Sequence, residues 1–440
     1  MISALLPCAV ALATLRCASE TVGAADDRSA NSNDETGTPA QGTTSDADAS
    51  DANGGEARTG FDAGNFAPGP IDDLLAALPS NHWLELPGSA MREVCPAPYV
   101  SGTCRAVQSA WSGGSYDTRR DRLVVFGGGH ADSFYNQLFV FDLGQMKWHR
   151  MTEMPAGATS STPTSEMNYV PIEPCGYYPK APLAVPAELL NPAGTYIRHE
   201  ACDLPEISAL LDDQQPRSSH TYSKCVYDAL EDRFCYLAGA YYRSAQSMGR
   251  RVPCFSFKTG LWSRVADIPK GSRGASAVDA QGHFWSLPNE TGRLYEYVPS
   301  SNTWVSHVSY AHTTGYLTGD VDRKRHHLLV MSNAGVRRFD LNAPEQPGVV
   351  LATTGPAAPS VGHGGFVYAD ALDRFVAWSG GSEIYLLDPA TLVWTRRDAE
   401  GTAPGPQLNN GTYGRFRYSP LRGVFVLANG ADANVFVYKP

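Results

Sequence analysis

Several features are missing from this 440-residue sequence, and each absence narrows what the chain can be. No apolar run is long enough to span a bilayer, so a helical membrane protein is excluded. Long helical periodicities are scarce, which argues against a helix bundle or a doubly wound α/β fold. No GxSxG, P-loop or HExxH motif occurs, so the nucleophile elbow, the phosphate cradle and the zincin helix have no candidate. Neither CxxC nor a Cys/His ligand spacing suggests a zinc site. Charge is also thin. The net charge is -10, but residues 20–60 hold nine acids against two bases and carry -7 of it. The remainder is close to neutral and offers no basic surface for nucleic acid.

What is abundant is glycine, proline and aromatic residues, with 42 Gly, 31 Pro, 21 Tyr, 16 Phe and 8 Trp. That mixture favours an all-β protein with many tight turns. The N-terminus, MISALLPCAVALATLRC, has an apolar core of signal-peptide length, although no Lys or Arg precedes Arg16. Residues 1–19 therefore read as a signal peptide, with Cys17 as a candidate lipidated cysteine of a bacterial lipoprotein. Residues 20–60 are too rich in Asp, Ser, Thr, Gly and Ala to bury a core, and read as a disordered acidic linker. Residues 61–440 are expected to fold. Nine cysteines fit an oxidising compartment, and a secreted or cell-surface location follows. Cys95 with Cys104 and Cys175 with Cys202 are the expected local bridges. Among Cys225, Cys235 and Cys254 any pairing leaves one thiol free; buried free thiols are the alternative reading.

One pattern recurs along the folded part: an apolar strand, a turn carrying Asp-Arg, a second strand ending in small residues, a third strand, then a tryptophan. The best copy is AWSGGSYDTRRDRLVVFGGGHADSFYNQLFVFDLGQMKWHRM, residues 110–151. Others occupy 220–265 and 364–397, with weaker copies at 273–306, ending at Trp304, and at 312–352, which lacks the tryptophan. The last copy stops at the C-terminus after its third strand, and NHWLELP, residues 81–87, supplies the missing fourth with Trp83 in the tryptophan position. Pairing first strand with last would close the ring and remove its sheet edges. The glycine pairs Gly127-Gly128 and Gly380-Gly381 and the tryptophans Trp148, Trp262, Trp304 and Trp394 make these segments resemble Kelch repeats of a β-propeller. Six blades are counted, and a seventh would have to lie in the insertion at 152–216. That insertion carries one short helical pattern at 204–213 and reads as a lid or groove wall.

In such a ring the loops joining second and third strands share a face with the segments leading into the innermost strands. On that face fall His130 after the glycines, Asn136 in the same loop, Arg217, His220 and Tyr222 of RSSHTY, and Tyr242 and Arg243 of AYYRS. Later blades add His363, Tyr413 and Arg415. Each has a plainer reading: a histidine beside a glycine turn is usually a hydrogen-bonded loop residue, Tyr222 and Tyr227 are compatible with ordinary strand packing, and Arg415 and Arg417 with pairing to Asp or to backbone carbonyls between blades. The acids of Asp121-Arg122, Asp232-Arg233 and Asp373-Arg374 sit in repeat turns and read as structural, and His326-His327 as surface on the opposite face.

No carboxylate pair stands out on the proposed face, which weighs against a two-carboxylate glycosidase. A His/Tyr/Arg set suits proton abstraction next to a carboxylate, as when a polysaccharide lyase removes the C5 proton of a uronic acid and expels the 4-oxygen. Arginine neutralises the carboxylate through two hydrogen bonds, and a tyrosine or histidine takes the proton. The loops GGGHADSFYN and RSSHTY on a Kelch-like ring resemble bacterial propeller polysaccharide lyases of the ulvan-lyase type. That resemblance implies that His130 and Arg243 neutralise the substrate carboxylate and that the tyrosine is Tyr222, Tyr227 or Tyr242. Two departures stand: the histidine of that family is missing near Trp111, and its members have seven blades. In the resulting assignment Tyr222 or His220 is the base, Tyr242 a candidate acid, and Arg217 holds a neighbouring acidic sugar. Asn136, His363, Tyr413 and Arg415 would bind substrate. An acidic polysaccharide is the expected partner and the chain is expected to be a monomer, with no cofactor beyond an optional structural metal ion. A non-catalytic propeller binding glycan or protein is the alternative, and a copper-radical oxidase of the galactose-oxidase type is a third reading.

Overall fold

The computed structural model describes residues 68–440 except 96–103, 130–135, 153–168, 173–175, 180–215, 217, 242–248, 272, 290–291, 310–314 and 357–361. The signal peptide, the acidic linker and the 204–213 helical pattern lie outside these residues, as does the pair Cys175 and Cys202. All described residues belong to one compact unit, Ala63–Pro440.

This unit is a six-bladed β-propeller. Six antiparallel sheets follow chain order from the axis outward, and the described residues are otherwise almost free of helix. The innermost strands are Gly114–Asp117, Cys225–Asp228, Gly274–Val278, Thr318–Asp322, Gly365–Ala369 and Phe416–Ser419, here called blades one to six. Each touches the next, and the sixth touches the first. Closure is as the repeat arithmetic expects: His82–Leu86 pairs antiparallel with Val435–Lys439 as the outer strand of blade six, with Trp83 opposite Tyr438. The apolar clusters sit between blades, because both faces of each sheet are covered by neighbours.

The tryptophan of the repeat ties blades together at three junctions. Its indole N–H donates to a backbone carbonyl of the preceding blade: Trp304 to Ala266, just beyond the outer strand of blade two, at 2.7 Å, and Trp83 to Ser382, just before the third strand of blade five, at 3.1 Å. Trp148 bonds Ser89 in the same way at 2.9 Å. Trp83, far away in sequence, thus behaves as a true member of the series.

The Asp-Arg turns are the second device. Asp117, Asp228 and Asp322 end their inner strands and accept backbone N–H groups two and three residues on, which tightens each turn. Asp121, Asp232 and Asp373 then take a left-handed conformation, with φ of 57°, 56° and 50°. Each accepts the hydroxyl of a tyrosine of its own blade, Tyr116, Tyr227 or Tyr368, at 2.7–2.8 Å. Each also receives an arginine from the preceding blade. Arg120 clasps Asp232 at 2.7 and 2.6 Å, and Arg325 clasps Asp373 at 2.6 and 2.9 Å. Arg422 reaches Asp121 across the ring closure. These arginines hold Asp232 and Asp373 below the usual carboxylate range. The turn acids are therefore framework, and three of the six blade junctions are stapled by one motif.

Among the described residues two disulfides are present: the expected Cys95–Cys104, and Cys235–Cys254, which links directly opposed residues of adjacent strands in blade two. Cys225 is free and buried. Of the insertion, the structure describes a hairpin of Tyr169–Ile172 with Gly176–Pro179.

Candidate functional site

The loops that carry the sequence's histidine and arginine candidates begin with tightly packed backbone. A Cβ on Gly127 would lie 2.2 Å from the Ser112 hydroxyl, and Gly128 and Gly129 have φ of 124° and 92°. Only glycine fits all three demands. The Ser218 hydroxyl donates to the carbonyls of Gly127 at 3.1 Å and Gly129 at 3.3 Å. The glycine loop of blade one and the segment leading into blade two therefore abut at the residues flanking His130 and Arg217. His130, Arg217, Tyr242 and Arg243 themselves lie outside the described residues.

A shared irregularity marks this mouth of the ring. Three residues before the inner strands of blades six, one and two stand Tyr413, Trp111 and Tyr222, with φ of 48°, 48° and 47°. The same position in blades three, four and five holds Gly271, Gly315 and Gly362. A bulky aromatic residue in the left-handed region costs on the order of 1–3 kcal/mol and persists where the surroundings enforce it, typically at functional sites. Here the Tyr222 N–H donates to the Trp111 carbonyl at 2.8 Å, and the Tyr413 N–H to the His363 carbonyl at 3.1 Å.

These aromatics and their neighbours form one cluster. The Tyr222, Tyr316 and Tyr413 rings make a triangle with centroid separations of 6.1, 6.1 and 5.9 Å. His363 packs on Tyr316 at 5.8 Å and Tyr413 at 6.4 Å. His220 lies 4.7 Å from Trp111, and its Nδ1 is 3.3 Å from the Tyr222 hydroxyl. The Arg273 guanidinium sits 5.8 Å from the Tyr316 ring centre, where the ring's negative face attracts a cation. No Asp or Glu enters these contacts. The Tyr413 hydroxyl is buried without a hydrogen-bond partner, and burial pushes its pKa well up, so it stays a phenol. Burial alone pulls His363 down, which keeps its imidazole neutral near pH 7.

Of the sequence candidates, the structure thus brings together His220, Tyr222, His363 and Tyr413. Two are placed elsewhere. Arg415 is fully buried, and its guanidinium donates to the carbonyls of Ser112, Ala428 and Gly411 at 2.9, 2.5 and 2.5 Å. A charge wholly committed to backbone acceptors cannot also hold a ligand, so Arg415 is a framework residue. Tyr227 bonds Asp232 in the turn at the other end of its strand and is no longer a candidate base. Asn136 is 5% exposed, as deeply buried as His220 and Tyr222. Sequence reasoning missed Tyr316, Arg273 and the part played by Trp111. Tyr316 stands two residues before the inner strand of blade four, one place later than Tyr222 and Tyr413 stand in theirs, so a stricter alignment of the repeats would have found it.

On the same face, the loop after the second strand of blade five and the segment leading towards blade six enclose an open cleft of about 700 Å³. His363 lines it as well, joining it to the aromatic cluster. Among the described residues no group of three or more His, Cys, Asp or Glu side chains is arranged to hold a metal ion, and no helix is long and apolar enough to cross a membrane. No family model matches the sequence, and no curated protein matches it.

Proposed function

We propose that the protein acts on an acidic polysaccharide at this mouth, as a secreted lyase that cleaves next to a uronic acid by β-elimination. The observation that carries the reading is the Tyr222–His220 pair, hydroxyl to ring nitrogen at 3.3 Å, within a cluster of aromatic rings. A tyrosine bonded to an imidazole can lose its proton to that ring and then take the C5 proton of a bound uronate. The tyrosine and tryptophan rings supply flat faces for the C–H surface of sugars. The proposal assigns neutralisation of the substrate carboxylate to His130 and Arg243, with Tyr242 as acid and Arg217 on a neighbouring acidic unit.

A second reading, a propeller that binds glycan without cleaving it, is favoured by one specific feature: His220 and Tyr222 are only 4% and 5% exposed, so a substrate must displace something to reach them. Incubation with ulvan, alginate, glucuronan and glycosaminoglycans separates the two. The lyase reading expects growing ultraviolet absorbance from an unsaturated uronate with at least one polymer. Tight binding without any absorbance growth across the panel would establish the binding propeller instead.

A further inference from the structure

The cleft between blades five and six differs in chemistry from the mouth it adjoins. Gly380 and Gly381 form one wall, following the second strand of blade five as Gly127–Gly129 follow that of blade one. Gly380 has φ of 122°, and a Cβ there would stand 2.9 Å from the Gln407 nitrogen, so this wall is necessarily bare backbone. Pro404, Pro406 and Leu408 give the opposite wall an apolar surface. Apart from the acid Glu383, the polar side chains lining the cleft are uncharged: His363, Ser379 and Asn409. Gln407 lines it too, its amide donating to the His363 carbonyl at 2.7 Å.

The charges decide the occupant. Among the described residues no Lys or Arg lines the cleft, and the lining acid is Glu383. Glu383 pairs with Arg396 at 3.3 Å, and Arg396 also pairs with Asp398 at 2.6 Å. This Arg396 cluster therefore carries a net negative charge. A second carboxylate or a sulfate entering here would meet that charge with no lining cation to receive it among the described residues, a repulsion that disfavours it and weakens with salt. Hydroxyl and acetamido groups face no such penalty, and the proline and glycine surfaces suit the C–H face of a sugar ring.

From this we infer that the cleft is a subsite for an uncharged sugar, next to the uronate at Tyr222. The inference rests on the proposed action at that mouth and narrows its substrate to a polymer in which a uronic acid is joined to a neutral sugar. His363, neutral and shared by both spaces, would contact the linkage between the two units.

The test is direct binding by calorimetry, which does not depend on turnover. Three hexasaccharides serve as probes: unsulfated chondroitin, chondroitin sulfate and oligogalacturonate. Unsulfated chondroitin should bind at least about tenfold more tightly than the other two. Glu383→Lys should shrink that preference about tenfold by admitting a second anion, and Asn409→Ala should weaken the unsulfated probe alone. Equal or tighter binding of the fully acidic probes, an unchanged ratio in Glu383→Lys, or no binding of any probe overturns the subsite. Selective binding of the unsulfated probe without absorbance growth on any polymer overturns the lyase reading and leaves the subsite standing. Absorbance growth with no preference among the probes does the reverse.

Discussion

Tyr222 combines a left-handed backbone, a histidine on its hydroxyl and two further tyrosine rings as neighbours. Tyr222→Phe keeps the ring and removes only the oxygen, so packing is preserved while the proton path is lost. Initial rates of unsaturated uronate formation should fall by roughly 10²-fold or more, the usual size of a general-base contribution, with little change in melting temperature. His220→Ala should lower the rate similarly. Full activity in both variants would remove the pair from the mechanism. Cys225, three residues further on, shows how strongly position decides chemistry. Its side chain faces the apolar contact between blades one and two, and burial pushes the thiol up to about 12. It stays protonated at pH 8, where the thiol form is a poor nucleophile. Mass spectrometry after native treatment with iodoacetamide should find the Cys225 peptide unmodified, and modified once the chain is denatured.

At the scale of single elements, the inter-blade staple is the repeating unit of cohesion. Asp232 joins the turn of blade two, the Tyr227 hydroxyl and the Arg120 fork of blade one. Asp232→Asn leaves that fork half-buried and short of an anion, and should cost on the order of 2–3 kcal/mol in urea unfolding. The pH dependence has a definite sign. Asp232 and Asp373 are held lower in the folded than in the unfolded chain, so both stabilise the fold at neutral pH. That contribution declines as pH drops from about 4, the unfolded carboxylate value, towards the depressed folded values. Asp117 and Asp370 are raised by burial and act in the opposite sense, regaining stability on protonation. The urea midpoint should therefore fall below about pH 4 in the wild type, and Asp232→Asn should flatten that fall. A midpoint unaffected by the substitution at every pH would mean that the staple contributes nothing net.

For the whole molecule the decisive joint is ring closure. Trp83 is almost fully buried, packs on Trp378 and Tyr438 at 6.4 and 5.2 Å, and donates to the Ser382 carbonyl. It lies on the only strand of blade six drawn from the other end of the sequence, and removing its side chain leaves a cavity between blades five and six. Trp83→Ala should cost about 3–5 kcal/mol and loosen the ring at that joint. Amide exchange should then accelerate first in Val435–Lys439, the strand paired with it, while the inner strands of blades two and three keep their protection. Uniform acceleration around the ring would show that closure is shared by all six blades. The cleft proposed for a neutral sugar sits at this same joint, so Trp83→Ala should weaken its ligand as well.

The architecture was legible in the residues because a propeller repeats one local solution. Asp-Arg turns, glycine pairs and the recurring tryptophans are set by neighbours close in sequence, and even Trp83 betrays its blade by supplying the tryptophan that the unfinished last copy lacks. The Cys95–Cys104 bridge, nine residues apart, was equally local. The choice between Cys225, Cys235 and Cys254 was not, since it depends on which residues stand opposite across two strands. The site was legible only as a face. That His220, Tyr222, His363 and Tyr413 converge while Arg415 turns into the framework is decided by where the three carbonyls of Ser112, Gly411 and Ala428 fall when blade six meets blade one. No local pattern encodes that meeting. A residue two positions along a strand reads the same whether it faces ligand or backbone, and only the closed ring distinguishes the two.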